Sequence, residues 1–211
     1  MSRDLVIVGV GGVGRALRVF VDDADQNGAQ WRLLGYVDDA AEAQGKDIGG
    51  YPVLGPIDWL SGKDMDVLVG IGAPGVRRVV AEKLREHDGL AFPGLIHPRA
   101  YVPGCVPVGE GSIVYPGACV DPDTSLGSFV LVNQNATIGH DSVLDDFATL
   151  APGACIGGAV RVGEGADVGI GVSCKQGLSL GAGCRVGAGA AVIRDVTPGE
   201  TVAGVPAKPI F

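Results

Sequence analysis

Apolar residues recur along this chain in two rhythms. Over residues 1–95, short apolar runs alternate with amphipathic stretches. DLVIVGV (4–10), WRLLGYVDD (31–39) and MDVLVGIGA (65–73) have the length and composition of buried parallel strands. GRALRVFVDDAD (14–25) and GVRRVVAEKLREHDG (75–89) carry helical spacing, with Gly89 as the expected stop. LAFPGLIH (90–97) closes the half. Alternating strand and helix signals predict a small Rossmann-like α/β domain built on a parallel sheet.

From Ile96 the rhythm changes to a period of six. Every sixth position from Ile96 to Val192, seventeen in all, is aliphatic except for Cys174. Four residues after each lies a second, smaller set of Ala, Ser, Thr, Val, Cys and one Leu, and glycine directly follows the aliphatic position in eight hexads. Such a repeat predicts short strands that each turn one aliphatic side chain inward, separated by turns that need small residues or positive φ. Three hexads make one triangular coil, and coils stack as parallel strands at ~4.8 Å. The unbroken count predicts an uninterrupted all-β prism from 96 to 197. The domains expected are thus 1–95 and 96–211, the second including a C-terminal tail.

Composition narrows the function classes. Glycine supplies 36 of 211 residues without a Gly-X-Y period, so the excess belongs to turns and close packing. A net charge of −8 disfavours nucleic acid as a partner. No apolar run approaches the ~18 residues of a membrane span, and MSRDLVIVGVGG reads as a first strand instead of a signal peptide. The five cysteines form no CxxC pair, which argues against a metal site and fits a reducing cytoplasm.

Two places carry candidate chemistry. Gly9, Gly11 and Gly14 fit G-x-G-x-x-G between a strand and a helix, where backbone N–H groups can cradle a phosphate. Asp38 and Asp39 follow close to the distance at which a dinucleotide domain places its ribose-binding acid. A tight turn without ligand and a nicotinamide oxidoreductase both remain open on this loop alone. The second place is His140, third in the hexad IGHDSV and therefore outward, at or near a turn. Pro122 and Gly158 lie one coil below and above, so no polar ladder surrounds it, while Asp141 can hold the ring and raise its basicity. His140 reads either as a solvated turn residue or as a general base. His87 falls late in a charged helix, and His97 stands at the domain junction in a packing or hydrogen-bonding position.

The hexads resemble the left-handed β-helix of hexapeptide-repeat acyltransferases, and the hand is taken from that resemblance. With IVGVGGVGRAL, GYVDDA, YPVLG, IHPRA, NQNATIGHD and VAGVPAKPI, nearly the whole chain is similar to the sugar acyltransferases typified by the sialic acid O-acetyltransferase and the bacterial nucleotide-aminosugar N-acetyltransferases. The resemblance implies that His140 is the general base, tuned by Asp141 where some members carry glutamate. It implies that the first half holds a nucleotide-sugar near Gly11, Gly12, Val13, Asp38, Asp39 and Gly72, with Asn133 orienting the acceptor or the histidine. It places acetyl-CoA, the cosubstrate, near Thr149, Ile170, Ala188 and Lys208. Thr149 stands where some members have a second histidine. Lys175 and Arg194 are further candidates for the CoA phosphates. The family packs three prisms with CoA between neighbours, so a cytoplasmic homotrimer without metal is expected. The function implied is acetyl transfer from acetyl-CoA to the amino group of a nucleotide-linked aminosugar. The alternatives are O-acetylation of sialic acid or a related sugar, and a non-catalytic sugar-nucleotide-binding protein.

Overall fold

The computed structural model describes residues 2–25, 28 and 31–210. The chain divides into two compact units, Met1–Gly72 with Val76–Pro93, and Ala73–Gly75 with Gly94–Phe211.

The first unit is a five-stranded parallel sheet. Its strands are β1 (Arg3–Val8), β2 (Trp31–Val37), β3 (Val53–Gly55), β4 (Met65–Val69) and β5 (Leu90–Ala91), in the order β3-β2-β1-β4-β5. Leu5 to Val8 of β1 and Val67 to Val69 of β4 are buried, as continuous apolar runs demand of central strands. Helices α1 (Gly12–Asp25) and α2 (Pro74–Arg85) follow β1 and β4. Helix α2 stops before the predicted place. The EHD segment after Arg85 forms a turn, Gly89 at φ +90° leads directly into β5, and His87 lies beyond the helix. The sequence of YPVLG supplies the additional edge strand β3.

The second unit is the left-handed β-helix. Its short strands pair in parallel at a spacing of eighteen residues, as in Leu131 with Thr149, Thr137 with Cys155 and Val143 with Arg161. These pairings build three faces. The first runs from Leu95–Ile96 through Ile113–Val114 up to Arg185–Val186, the second from Cys119–Val120 to Ala191–Val192, and the third from Ser125–Leu126 to Ser179–Leu180. Nearly all the sixth-position aliphatics, with the smaller set, form one core along the axis. Each fully buried aliphatic contributes on the order of 1.5–3 kcal/mol.

Three details depart from the sequence expectation. Ile96, the first inward position, is 40% exposed, because the first coil has no coil beneath it. The top coil is two residues short: Val196 pairs with Leu180 and Val202 with Val186, a spacing of sixteen, so the eighteen-residue register ends inside the last hexad. The turn conformation also sits elsewhere. Positive φ falls not on the glycines that directly follow the aliphatic residues but two positions later, at every sixth residue from Gly111 to Gly189. Six of those fourteen positions are not glycine: Asp123, Phe129, Asn135, Asp141, Phe147 and Ala159. The directly following glycines serve close approach. A Cβ on Gly139 would stand 2.6 Å from the Gly158 nitrogen of the coil above.

Candidate active site

In the first unit the carboxyl ends of β1, β2 and β4 frame a cleft of about 600 Å³. Its lining includes the predicted Gly11, Gly12, Val13, Asp38, Asp39 and Gly72, and its apolar wall is Ile57, Ile71, Val76 and Val80. The crevice beyond the carboxyl ends of parallel strands is where open α/β sheets take ligands.

The glycines here have two different causes. Gly14 is required by the fold, since a Cβ there would meet the Gly9 carbonyl oxygen at 1.9 Å, and Gly70 packs against the Gly14 Cα in the same way. Gly9 has φ +96°. Gly11 and Gly12 have neither reason. A Cβ on either meets nothing within 4 Å, and neither has positive φ. Their bare backbone opens onto the cleft at the start of α1, the end of a helix that favours anions.

The two aspartates also divide. Asp38 accepts from the Val10 amide at 2.9 Å through Oδ2 and from the Ala40 amide at 2.8 Å through Oδ1, so it braces the glycine loop. Asp39 accepts from the Ile57 amide at 2.8 Å through Oδ1 alone. Sequence reasoning missed Arg77, which is 1% exposed and donates from Nη1 to the carbonyls of Ile71 and Gly72 at 3.0 and 2.7 Å. The helical position of Arg77 was visible in the sequence, but its inward direction was not.

In the second unit His140 lies on the edge between the second and third faces, and its side chain is 68% exposed. Its Nδ1 lies 2.7 Å from Asp141 Oδ2. Asp141 occupies the left-handed position at φ +58°, a conformation that aspartate and asparagine adopt more readily than other non-glycine residues. The Asp141 carboxylate, by hydrogen bond and by charge, holds the imidazole pKa above its ordinary value, and Asp121 and Asp123 one coil below push the same way. The far side of the ring rests over Gly158, whose Cβ would come 2.7 Å from Nε2. Gly158, noted in the sequence only as the next residue in register, therefore makes room for the imidazole.

The other predicted positions lie elsewhere on the prism. Asn133 opens the turn after the first face and donates from Nδ2 to the Leu150 carbonyl at 2.9 Å. Thr149 is buried in the first-face strand Thr149–Leu150. Ile170 and Ala188 lie eighteen residues apart on the edge between the first and second faces, so within one chain they do not share the edge of His140. Lys208 is exposed in the strand Lys208–Pro209, antiparallel to Thr201–Ala203 beyond the first face, and Lys175 and Arg194 are exposed. His97 is buried and accepts from the Arg99 amide. Burial pushes the thiols of Cys174 and Cys184 up to about 11, which makes them poor nucleophiles. Among the described residues no group of three or more His, Cys, Asp or Glu could hold a metal ion, and no helix is long and apolar enough to cross a membrane.

A parallel-sheet unit with a glycine-lined cleft, followed by a left-handed β-helix with an imidazole–carboxylate pair on an edge, defines the class of hexapeptide-repeat acyltransferases. Comparison with known proteins narrows it. Residues 4–84 match the family of the PglD N-terminal domain. The acetyltransferase domain of PglB from Neisseria gonorrhoeae, solved with acetyl coenzyme A, is 34% identical with a TM-score of 0.89, over 100% of both chains. PerB from Caulobacter crescentus, solved with CoA and GDP-perosamine, is 30% identical with a TM-score of 0.89, over 99% of this chain and 97% of that one. WeeI from Acinetobacter baumannii is 28% identical with a TM-score of 0.88, over 98% and 99%. Comparison with the curated proteins found no match. The chain belongs to the hexapeptide-repeat sugar acetyltransferases, and it is an acetyltransferase of that family.

Proposed function

We propose that this protein transfers the acetyl group of acetyl-CoA to the amino group of a nucleotide-linked aminosugar, with His140 as general base. The observation that carries the assignment is the 2.7 Å contact between His140 Nδ1 and Asp141 Oδ2. A carboxylate at that nitrogen keeps the proton on Nδ1 and leaves the Nε2 lone pair as the acceptor. The neutral amine attacks the thioester carbonyl carbon, Nε2 takes the proton the nitrogen sheds, and the CoA sulfur leaves as the carbonyl re-forms. Asp141 stabilises the imidazolium made in that step.

Residues 1–95 serve as the nucleotide-sugar-binding domain and residues 96–211 as the acyltransferase domain. The open backbone of Gly11 and Gly12 suits a diphosphate, and the unengaged Asp39 oxygen can accept from a base or ribose. Asp38, with both oxygens held by backbone amides, acts through the shape of the loop. Acetyl-CoA lies along Ile170 and Ala188, near Thr149 and Lys208. Because one chain keeps Ile170 and His140 on different edges, a second copy must bring its own edge to complete the site. A closed ring of three chains achieves this with one repeated interface. The five free cysteines suit a cytoplasmic setting.

The test is release of free CoA thiol from acetyl-CoA across UDP-, GDP- and TDP-linked aminosugars and free sialic acid. Turnover with an aminosugar nucleotide, absent with sialic acid, is the expected result. Turnover with sialic acid alone would replace the amine acceptor with a hydroxyl. No turnover with any acceptor would sink the function.

A further inference from the structure

The edge that carries Ala188 and Ile170 continues downward through Pro152, Gln134 and Pro116 at the same eighteen-residue spacing. Near its lower end lies a hollow of about 330 Å³, lined by Arg99, Pro116, Gly117, Gln134 and Asn135. The backbone of these residues is occupied by the coil. Gly117 donates to the Arg99 carbonyl at 3.0 Å, Asn135 to the Pro116 carbonyl at 3.4 Å, and the Gln134 carbonyl accepts from Gly153 at 2.9 Å. Their side chains are not so occupied: the Arg99 guanidinium and the Gln134 and Asn135 carboxamides have no partner among the described residues. Asn135 takes the left-handed conformation at φ +57°, and its Oδ1 lies 2.2 Å from where a Gly117 side chain would begin. Glycine at 117 thus leaves the space into which the carboxamide turns.

We infer that this hollow reads the pyranose ring of the acceptor through its hydroxyl groups, an inference that rests on the function proposed above. Each carboxamide offers both donors and an acceptor, and the guanidinium offers a planar fork of donors, a set that matches neighbouring hydroxyls. The Pro116 ring and Gly117 provide a nonpolar floor for the C–H face of a sugar. A free phosphate fits the hollow less well. It has a single cation and no helix N-terminus, and the Gly117 and Asn135 amides already donate to carbonyls. The hollow continues the edge assigned to acetyl-CoA, so a sugar held here lies in line with the donor.

Arg99→Ala, Gln134→Ala and Asn135→Asp separate the possibilities, the last keeping a residue that tolerates the left-handed backbone. The expected result is a rise of about tenfold or more in acceptor KM with kcat within about threefold, the pattern of lost ground-state binding. By calorimetry, the affinity advantage of GDP-perosamine over GDP, or of a UDP-linked 4-aminohexose over UDP, should shrink by a similar factor. Affinities for GDP, UDP and acetyl-CoA alone should stay unchanged. Wild-type turnover with unchanged KM in all three variants overturns the sugar-reading hollow and leaves the function standing. Equal loss of affinity for GDP or UDP alone also overturns it, since the hollow would then read the nucleotide. Failure of the wild-type protein to release thiol with any acceptor overturns the function itself, and this inference falls with it.

Discussion

His140 and Asp141, neighbours in sequence, face each other across 2.7 Å because Asp141 sits in a left-handed turn. A strand would send successive side chains to opposite faces. The prism corner instead turns the carboxylate back onto the imidazole, so the backbone conformation sets the geometry of the pair.

The pair fixes the sign of a pH dependence. A general base at His140 must be neutral to accept a proton, so activity should fall as pH drops through the His140 pKa, which Asp141 raises. Asp141→Asn removes the largest cause of that shift. The acid limb of kcat should move to lower pH, with a lower plateau rate because the base is weaker. Comparing both proteins on one acceptor cancels the acceptor's own ionisation. An acid limb that stays in place would detach Asp141 from the reaction.

Loss of the imidazole should be larger. His140→Ala is expected to lower kcat by ~10²–10⁴-fold, the range for a general base, with acetyl-CoA affinity and melting temperature little changed because the side chain is exposed. Near-normal turnover would return His140 to the role of a solvated turn residue.

Gly158→Ala probes the same site without touching its chemistry. The new Cβ would stand 2.7 Å from Nε2, and the exposed ring would swing aside at little cost in stability. A displacement of the base by ~1 Å can cost ~10²-fold in rate. Circular dichroism should show a native melt while kcat falls at least tenfold, and unchanged kcat would mean that the ring position seen here is not the working one.

The glycine loop offers a paired test. Gly14→Ala should destabilise the first unit severely, since its Cβ would overlap the Gly9 carbonyl. Gly11→Ala and Gly12→Ala should melt like the parent but bind GDP or UDP more weakly, because their methyl groups enter the cleft. Unaltered nucleotide affinity in both would remove the phosphate from this loop.

Asp38→Ala and Asp39→Ala should likewise part company. The first leaves the Val10 and Ala40 amides without acceptors and should cost ~1–3 kcal/mol of stability in addition to acceptor affinity. The second should raise acceptor KM with a smaller change in melting temperature and kcat unchanged. Equal effects from both would contradict the separation of brace and contact.

Much of this was legible in the residues because the prism writes its geometry into a strict count. Val114, Val132, Leu150 and Val168 announce one inner face by spacing alone. What the count could not show was its end, where Val196 takes the place above Leu180 two residues early. The glycines were visible but their two causes were not. Close approach at Gly139 and positive φ at Gly153 look alike in sequence, whereas Asp123, Asn135 and Asp141 hold the left-handed turn without glycine. At the site, His140 with Asp141 and the acidic pair after β2 were readable. The bracing role of Asp38 was not, because it depends on where the Val10 amide of the distant glycine loop points.

The left-handed turns at every sixth residue from Gly111 to Gly189 make the prism intolerant of changes in length. Deleting one residue at position 120 would draw Gly127, Asn133, Gly139 and Asp145 into the inward places now held by Leu126, Val132, Ile138 and Leu144, and every later corner would shift by one. Substitutions are absorbed locally, whereas insertions are absorbed only in whole coils of eighteen or above Val192, where the spacing already relaxes to sixteen. Lineages of such a chain should therefore vary by residue exchange along the prism and by added or lost turns at its top.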